Sequence, residues 1–434
     1  MNAISNVHGR QIFDSRGRPT VEVEITLDSG LLARASVPSG ASTGTHEAHE
    51  LRDGDLGVFE GLGVTAAVEH VNTEISAALR GRDVHDQRGA DQTLRDLDGT
   101  TNLARLGANA VLGTSLALCR ASAATDRQPL YRRIAHLAGD VEPTLPMPMV
   151  NILSGGLHAG RGMDVQDFLA VPVRATTMLE AIATTSRVRA AAARLCAERG
   201  LPTLLADEGG LSPACRTGRE ALELITRSIE TAGLTPGIDV SIAIDVAATA
   251  LYDRAAGDYQ LRRQERRMST AEMINMVSAW VDGFPIVSIE DPLDEEDWDG
   301  WQELTAQLGH RVRLIGDDLF TTNSRRLATG IHRGAANGVL IKVNQNGTLT
   351  GTLDVVAQAR TAGYAAVVSA RSGETEDDFL ADLAVGTGAG QIKIGSVRNS
   401  ERLAKYNQLV RIAEDPTLSL CKLPELATPA MAWR

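Results

Sequence analysis

The sequence has 434 residues, of which 43% are hydrophobic, 23% are charged and 3% are aromatic, and its formal net charge is −12. This length favours two domains, or a barrel with a smaller domain attached to it. The negative charge argues against binding to nucleic acid or to an anionic membrane, because phosphate groups need clustered cations. A small anionic substrate remains compatible with this net charge if a metal ion or a local group of cations makes the binding site positive.

The first part of the chain has the pattern of a small α+β domain. Residues 20–27 (TVEVEITL) alternate between apolar and acidic or polar side chains, which predicts a half-buried antiparallel strand. A loop rich in glycine and serine follows at residues 39–44 (SGASTG), and residues 106–121 have helical spacing. Three prolines between residues 143 and 148 then mark a boundary. We therefore predict an N-terminal α+β domain at residues 1–138 and a barrel at residues 139–434.

The cysteines and the N-terminus bear on the compartment. Cys119, Cys196, Cys215 and Cys421 are far apart and form no CxxC pair, which predicts reduced, buried thiols. Residues 1–14 contain no apolar signal-peptide core, and no apolar run reaches the roughly 18 residues that cross a bilayer. We expect a cytoplasmic protein with no membrane partner.

Beyond the prolines, short apolar runs rich in β-branched residues each end at a polar or charged residue. A helical pattern at residues 179–199 precedes them. The residues at the ends of these runs, at intervals of about 22 to 45 residues, are Asp245, Glu290, Asp317, Lys342, Arg371 and Lys393. Continuous apolar strands separated by helices indicate a parallel sheet buried on both faces, and the strand ends converge if that sheet closes into a barrel. The alternative is that each charge merely ends its own strand.

The chemistry of these six residues predicts a metal site that faces cations. Three carboxylates supply the hard oxygen ligands that suit Mg²⁺. A buried network of ion pairs is the alternative, but such a network is costly to desolvate. If the substrate is a carboxylate with a proton on its α-carbon, Lys342 could take that proton, and we expect neighbouring cations to depress its pKa. Arg371 and Ser372 would then bind a phosphate group.

The chain resembles the enolase (phosphopyruvate hydratase) family over nearly its whole length. The matching motifs, in chain order, are GRQIFDSRGRPTVEVE (residues 9–24), VPSGASTG (37–44), LGANAVLG (106–113), PMVNILSGGLHAG (148–160), ADEGG (206–210), SIEDPLDEEDWDGW (288–301), GDDLFTTN (316–323), IKVNQ (341–345), RSGETED (371–377) and AKYNQL (404–409). The resemblance implies an enolase-type α/β barrel with a smaller N-terminal α+β domain. It also implies one or two Mg²⁺ ions per site, a small phosphorylated or phosphonylated carboxylate as substrate, and a homodimer or larger homo-oligomer.

The resemblance also implies roles for individual residues. The first Mg²⁺ would be held by Asp245, Glu290 and Asp317. The acid–base groups would be Lys342 as the base at C2, Lys393 beside it, Glu208 as the acid that helps the C3 hydroxide leave, and His158. The substrate would be contacted by Gln166, Asp167, Arg371, Ser372, Lys393 and Ser39, and Ser39 would also join a second Mg²⁺ when the loop at residues 39–44 closes.

Four positions depart from the family pattern. Ala370 stands where enolases have histidine, Asp167 where they have glutamate, Leu157 where they have serine, and Ser154 where they have asparagine. The loss of an acid–base group typically costs about 10²–10⁴ in rate. We therefore expect a specialised paralogue, for example a carboxyphosphonoenolpyruvate synthase, the enolase-like enzyme of phosphinate antibiotic pathways.

Three alternatives stay open beside the specialised paralogue. The chain could be an ordinary phosphopyruvate hydratase whose neighbouring residues compensate for the four departures. It could be a racemase or cycloisomerase of the wider superfamily, although those enzymes lack the SGASTG, DEGG and RSGETED motifs together. It could also be a non-catalytic enolase-like scaffold.

Overall fold

The computed structural model describes residues 2–40 and 44–423. The middle of the predicted SGASTG loop, residues 41–43, lies outside the described residues. So does the end of the chain, residues 424–434, to which the sequence assigns no role.

The N-terminal part is an antiparallel three-stranded sheet covered by helices. Its strands are β1 (Ile4–Phe13), β2 (Pro19–Leu27) and β3 (Leu32–Ser36). Its helices are α1 (Thr65–His70), α2 (Ser76–Leu79), α3 (Gln87–Asp98), α4 (Ala108–Thr125) and α5 (Leu130–Leu137), with a 3-10 turn at Phe59–Gly61 and a π-helical turn at Val71–Ile75 between α1 and α2. The strand predicted at residues 20–27 is β2, and the helix predicted at 106–121 is α4.

Close packing of α4 on β2 forms the core of this part. Val21, Val23 and Ile25 alternate along β2 and are fully buried, as the alternating sequence pattern predicts. The helix approaches the sheet at Gly113, where an added Cβ would lie only 2.7 Å from Cγ2 of Val23. Glycine at this position therefore sets how closely the helix and the sheet pack.

The second part is a closed eight-stranded barrel surrounded by helices. The barrel strands are β4 (Met147–Ser154), β5 (Asp167–Val171), β6 (Ser241–Asp245), β10 (Ile286–Glu290), β11 (Arg313–Gly316), β12 (Gly338–Ile341), β13 (Ala365–Ser369) and β14 (Gly390–Gly395). A small separate sheet contains β7 (Tyr252–Asp253), β8 (Asp258–Leu261) and β9 (Arg266–Met268). The helices are α6 (Met178–Glu198), α7 (Gly218–Thr231), α8 (Thr270–Gly283), α9 (Trp298–Leu308), α10 (Ser324–Arg333), α11 (Val343–Asn346), α12 (Leu349–Thr361), α13 (Phe379–Gly386) and α14 (Ser400–Ile412), with 3-10 turns at Leu157–Ala159, Ala248–Leu251 and Arg262–Gln264.

The barrel confirms the predicted closure, with one difference in strand direction. The six apolar runs identified in the sequence are β6 and β10 to β14, and they pair in parallel. β14 pairs with β4 and closes the barrel. However, β5 runs antiparallel to both of its neighbours, β4 and β6, so the sheet is not wholly parallel as predicted. The chain reaches β5 from β4 through a short loop, and no helix crosses over between them.

Helix α14 holds the loop after β13 through two buried cations. The guanidinium of Arg402 donates to the carbonyl oxygens of Arg371 and Ser372, at 2.6 Å each, and to that of Ile394 at 3.1 Å. Lys405 Nζ donates to the carbonyl oxygen of Thr375 at 2.6 Å. Arg402 and Lys405 are almost completely buried, so the loop depends on them for its polar partners.

Other expectations from the sequence can be compared directly with this fold. The four cysteines form no disulfide, as expected, and three of them are buried, but Cys421 is only half-buried. Within residues 2–40 and 44–423, no helix is both long enough and apolar enough to cross a membrane.

We predict that Arg402→Met lowers the free energy of unfolding by about 3 kcal/mol, because three buried carbonyl groups lose their donor. Arg411→Met, at an exposed position of the same helix, is the matched control. Urea unfolding followed by circular dichroism measures both variants. Equal stability of the two would show that the loop does not depend on Arg402.

Candidate active site

A cavity of about 210 Å³ opens at the carboxyl ends of the barrel strands. Acidic side chains outnumber basic ones in its lining. The acidic members are Glu208, Asp245, Asp291, Glu295, Asp317 and Asp318, and the basic members are Lys342, Arg371 and Lys393, with His158 and Gln166 beside them. A cavity of this composition repels an anion unless further positive charge enters with it.

The three carboxylates predicted to hold Mg²⁺ lie at neighbouring strand ends. Asp245 ends β6 and Glu290 ends β10, and the two residues are opposite each other in the parallel ladder. Asp317 follows the end of β11, the next strand. All three are buried, and they offer only oxygen atoms, which are the donors that Mg²⁺ prefers. Their oxygen donors therefore fit the predicted ion in type, but among the described residues the acidic group whose ligand atoms all lie within 4.8 Å of one another is Asp291, Asp317 and Asp318, of which only Asp317 was predicted.

Lys393 links two of these carboxylates. Its Nζ lies 2.6 Å from Asp245 Oδ2 and 2.8 Å from Glu290 Oε2. Burial opposes the charged form of Lys393, but the charges of Asp245 and Glu290 outweigh it and hold the pKa of the lysine well above its usual value. Gln166 Nε2 also donates to Asp245 Oδ2, at 3.0 Å. The predicted residues Gln166, Asp245, Glu290 and Lys393 therefore form one connected group.

Lys342 contacts the third carboxylate, and here the prediction for its pKa is wrong. Its Nζ forms a close ion pair with Asp317 Oδ2, while Gln345 donates to the other oxygen of Asp317 at 3.0 Å. Burial is the largest single influence and lowers the pKa of Lys342, but the carboxylates around it, Asp317 first and then Glu290, raise the pKa, and the net shift is upward. Arg371 and Lys393 do depress the pKa, as expected, but more weakly than the direct partner raises it.

Glu208 and His158 face each other across one side of the cavity. Oε1 of Glu208 lies 3.6 Å from Nδ1 of His158, and Oε2 accepts a hydrogen bond from Asn151 at 3.1 Å. Burial lowers the pKa of His158. Burial opposes ionisation of Glu208 as well, but Arg402, His158 and the lysines outweigh it and lower the pKa of this carboxylate. Glu208 is thus held ionised beside a neutral imidazole.

Asp167 lies behind this group and does not line the cavity. Its Oδ1 accepts a hydrogen bond of 2.6 Å from Ser154 Oγ, and its side chain is completely buried. Burial, together with the nearby Glu208 charge, raises the pKa of Asp167 well above its usual value. Ser154 and Asp167 are two of the four departures from the family pattern, and the structure shows that they contact each other.

The predicted phosphate-binding residues are tied to the N-terminal part of the chain. Arg371 Nη1 lies 3.0 Å from Glu47 Oε2 and 2.8 Å from Asn344 Oδ1. Ser372 Oγ accepts a hydrogen bond from Arg16 at 3.3 Å. The sequence analysis missed Glu47 and Arg16, since nothing in their local pattern indicates a partner more than 300 residues away.

The structure does not bring Ser39 to the cavity. Its hydroxyl donates to Glu50 at 3.1 Å and accepts from Arg52 at 2.9 Å, and its backbone pairs with that of Gly373. Because both partners hold this hydroxyl, the geometry gives no support to Ser39 as a metal ligand or as a substrate contact. The other serine of the same loop, Ser42, lies outside the described residues.

The acidic stretch at residues 291–299 has a composition typical of a solvated helix start, but its first half is buried. Asp291 and Glu295 are buried and line the cavity. Asp291 accepts the backbone N–H groups of Asp317 and Asp318, at 2.9 and 2.7 Å. Burial and the adjacent Asp317 charge raise the pKa of Asp318 to about 8. Helix α9 begins only at Trp298, beyond this acidic group.

The other two positions that depart from the family pattern, Ala370 and Leu157, both line the cavity. Ala370 follows β13, and its backbone N–H donates to the carbonyl oxygen of Lys393 at 2.9 Å. Leu157 begins a short 3-10 turn that also carries His158. Ala370 and Leu157 place apolar side chains where enolases have an imidazole and a hydroxyl.

Fold and site together define an α/β-barrel enzyme whose cavity is lined with acidic and basic groups at the strand ends. Comparison with protein families agrees in both parts of the chain. The N-terminal domain of enolase matches residues 4–134, and the C-terminal TIM barrel domain of enolase matches residues 142–419. The chain belongs to the enolase family, a family of Mg²⁺-binding lyases.

We predict that Asp245→Asn removes most of the stabilisation that Mg²⁺ gives. An ion that binds only the folded protein adds about 2.7 kcal/mol of stability at 100 times its Kd, and the variant should show less than about 1 kcal/mol at the same concentration. Thermal unfolding with and without Mg²⁺ measures this increment for each protein. Asp299→Asn, at an exposed aspartate on α9, should retain the full increment. An unchanged increment in Asp245→Asn would remove this carboxylate from the metal site.

Proposed function

We propose that this protein is an enolase-type enzyme that removes the C2 proton from a substrate with a 2-phosphoglycerate-type skeleton and so forms an enolpyruvate-type product. We further propose that it is specialised to make a phosphonate-modified enolpyruvate, in the manner of carboxyphosphonoenolpyruvate synthase. One observation carries both parts. The cavity is lined by Lys342, Lys393, Glu208, Asp245 and Asp317, while two of the departures, Ala370 and Leu157, line it and the other two form a hydrogen bond behind it.

In the proposed reaction, Lys342 Nζ takes the proton from C2 of the substrate. The electron pair of the broken C–H bond forms the C2=C3 double bond, and the substituent on C3 leaves with its bonding electrons and a proton from Glu208. When bound by Asp245, Glu290 and Asp317, Mg²⁺ supplies positive charge to the substrate carboxylate.

The starting protonation of the site sets two conditions for this reaction. Lys342 acts as a base only when it is neutral, so the hold of Asp317 on its ammonium group must weaken first. The lowered pKa of Glu208 favours its ionised form, so this carboxylate must gain a proton before it can act as an acid. A phosphate group that binds Arg371 would compete with Glu47 for the guanidinium.

The specialised substrate is supported by the positions of the four departures. Ala370 and Leu157 both line the cavity, and Ser154 holds Asp167 outside it. The lysines and the metal-binding carboxylates are retained. Substitutions in the lining of the cavity and directly behind it, beside unchanged lysines and carboxylates, favour a change in the leaving group or in the anionic group of the substrate.

A second candidate is ordinary phosphopyruvate hydratase activity, which the retained Lys342, Lys393 and Glu208 favour. A non-catalytic scaffold is less well supported, because it has no use for two buried lysines paired with carboxylates, an arrangement that is costly to desolvate. On the basis of family membership, we propose that the protein is a homodimer or larger homo-oligomer. We also propose that it acts on a small molecule in the cytoplasm and binds neither nucleic acid nor a membrane.

We predict that Lys342→Met abolishes exchange of the C2 proton. Proton NMR in D₂O, with Mg²⁺ and either 2-phosphoglycerate or the proposed phosphonate substrate, should show a loss of at least about 10²-fold, because no other base replaces the amine. Lys422→Met, at an exposed lysine, should exchange at the wild-type rate. Undiminished exchange in Lys342→Met would exclude this lysine as the base.

We predict that the wild-type protein converts 2-phosphoglycerate to phosphoenolpyruvate poorly and that Ala370→His raises this rate by about 10²-fold. The absorbance of the enolpyruvate product at steady state measures both rates. Ala362→His places the same side chain at an exposed position and should change nothing. Efficient turnover by the wild type, unaffected by Ala370→His, would contradict the specialised function and leave the ordinary hydratase.

A further inference from the structure

The contact between Ser154 and Asp167 has no part in the proposed reaction, although it lies directly behind the reacting groups. Ser154 is the last residue of β4 and Asp167 the first of β5, and they are opposite each other in the antiparallel ladder. Both side chains are completely buried. Neither lines the cavity, whereas the adjacent residue Gln166 and the nearby Glu208 do.

The backbone of Ser154 and its neighbour Gly210 set the position of this residue. Its backbone N–H donates to the carbonyl oxygen of Leu211 at 2.7 Å. The hydroxyl occupies the space left by the absent side chain of Gly210, where an added Cβ would lie 2.3 Å from Ser154 Oγ. From this position it donates the hydrogen bond of 2.6 Å to Oδ1 of Asp167.

We propose that Ser154 is a specificity-determining residue: by holding Asp167 out of the cavity, it allows the site to accept a substrate with an additional anionic group, a carboxylate or a phosphonate. The inference rests on the proposed function and names the substrate class for the same site. Ser154 acts through Asp167 and is thus a positioning residue.

The charges that line the cavity explain why it matters that Asp167 is held outside it. Six acidic side chains already line the cavity against three basic ones. A seventh carboxylate that reached the cavity beside Lys393 would compete with the substrate for this lysine and would repel a second anionic group. Ala370 contributes space, because its side chain is a single methyl group on the same cavity wall.

Binding of phosphonoformate, the smallest molecule with a carboxylate and a phosphonate on adjoining atoms, tests the inference on the full-length protein with Mg²⁺. Isothermal titration should give a Kd for Ser154→Ala about tenfold above the wild-type value, because Asp167 loses its tether. Ser154→Thr retains the hydroxyl donor and should bind within about threefold of the wild type. Equal binding by Ser154→Ala and the wild type would overturn the inference.

Variants that also carry Asp167→Asn distinguish a positioning role of Ser154 from a general packing defect. In Asp167→Asn, the side chain keeps its shape but cannot carry a negative charge. Adding Ser154→Ala to Asp167→Asn should therefore weaken binding by less than about twofold. A tenfold loss that persists in this background would mean that Ser154 acts through packing alone, and the inference would fail. Thermal unfolding of each variant confirms that it is folded.

The outcomes also separate this inference from the proposed function. If the wild type binds phosphonoformate and the serine variants do not differ, the proposed function stands and the role of Ser154 fails. If the wild type does not bind phosphonoformate but converts 2-phosphoglycerate efficiently, the phosphonate specialisation fails and the role of Ser154 fails with it.

Discussion

The buried ion pair of Lys393 with Asp245 and Glu290 is the interaction on which the geometry of the site depends. The ammonium group lies within 3 Å of both carboxylates at the mouth of the barrel, where all three side chains are buried. Removing one partner from such a group typically costs about 3–5 kcal/mol, since the others remain charged and buried. The strand register must therefore keep Asp245 opposite Glu290, and closure of the barrel must bring β14 round to them.

Both parts of the chain contribute to the same site. Arg371 extends from the barrel to Glu47, and Arg16 reaches Ser372 from the segment between β1 and β2. From the opposite side, Arg402 on α14 binds the carbonyl oxygens of Arg371 and Ser372. The proposed phosphate-binding loop is thus held from two directions, so its position is set before any substrate arrives.

The sequence predicts the strands well because short β-branched runs that end in a charge have few other interpretations. It could not predict that β5 runs antiparallel, because its apolar residues look the same in either direction. It identified Lys342 but gave the wrong direction for its pKa, since residue types do not reveal which carboxylate is in direct contact. The burial of Asp291 and Glu295 was missed for a similar reason: a run of acidic residues is typical of a surface until the fold places it in a cavity.

The four departures from the family pattern differ in how far the sequence alone explains them. Taken one at a time, each could be a neutral substitution that its neighbours compensate. In the structure, however, Ser154 binds Asp167, while Ala370 and Leu157 line the same cavity, so two of the departures are in direct contact and the other two change the lining. The carboxylates and lysines at the strand ends are unchanged in type and remain paired with one another. The substitutions therefore change the lining of the cavity and the pair behind it, while these charged pairs stay in place. This combination supports the proposal of a different substrate that undergoes the same enolate chemistry.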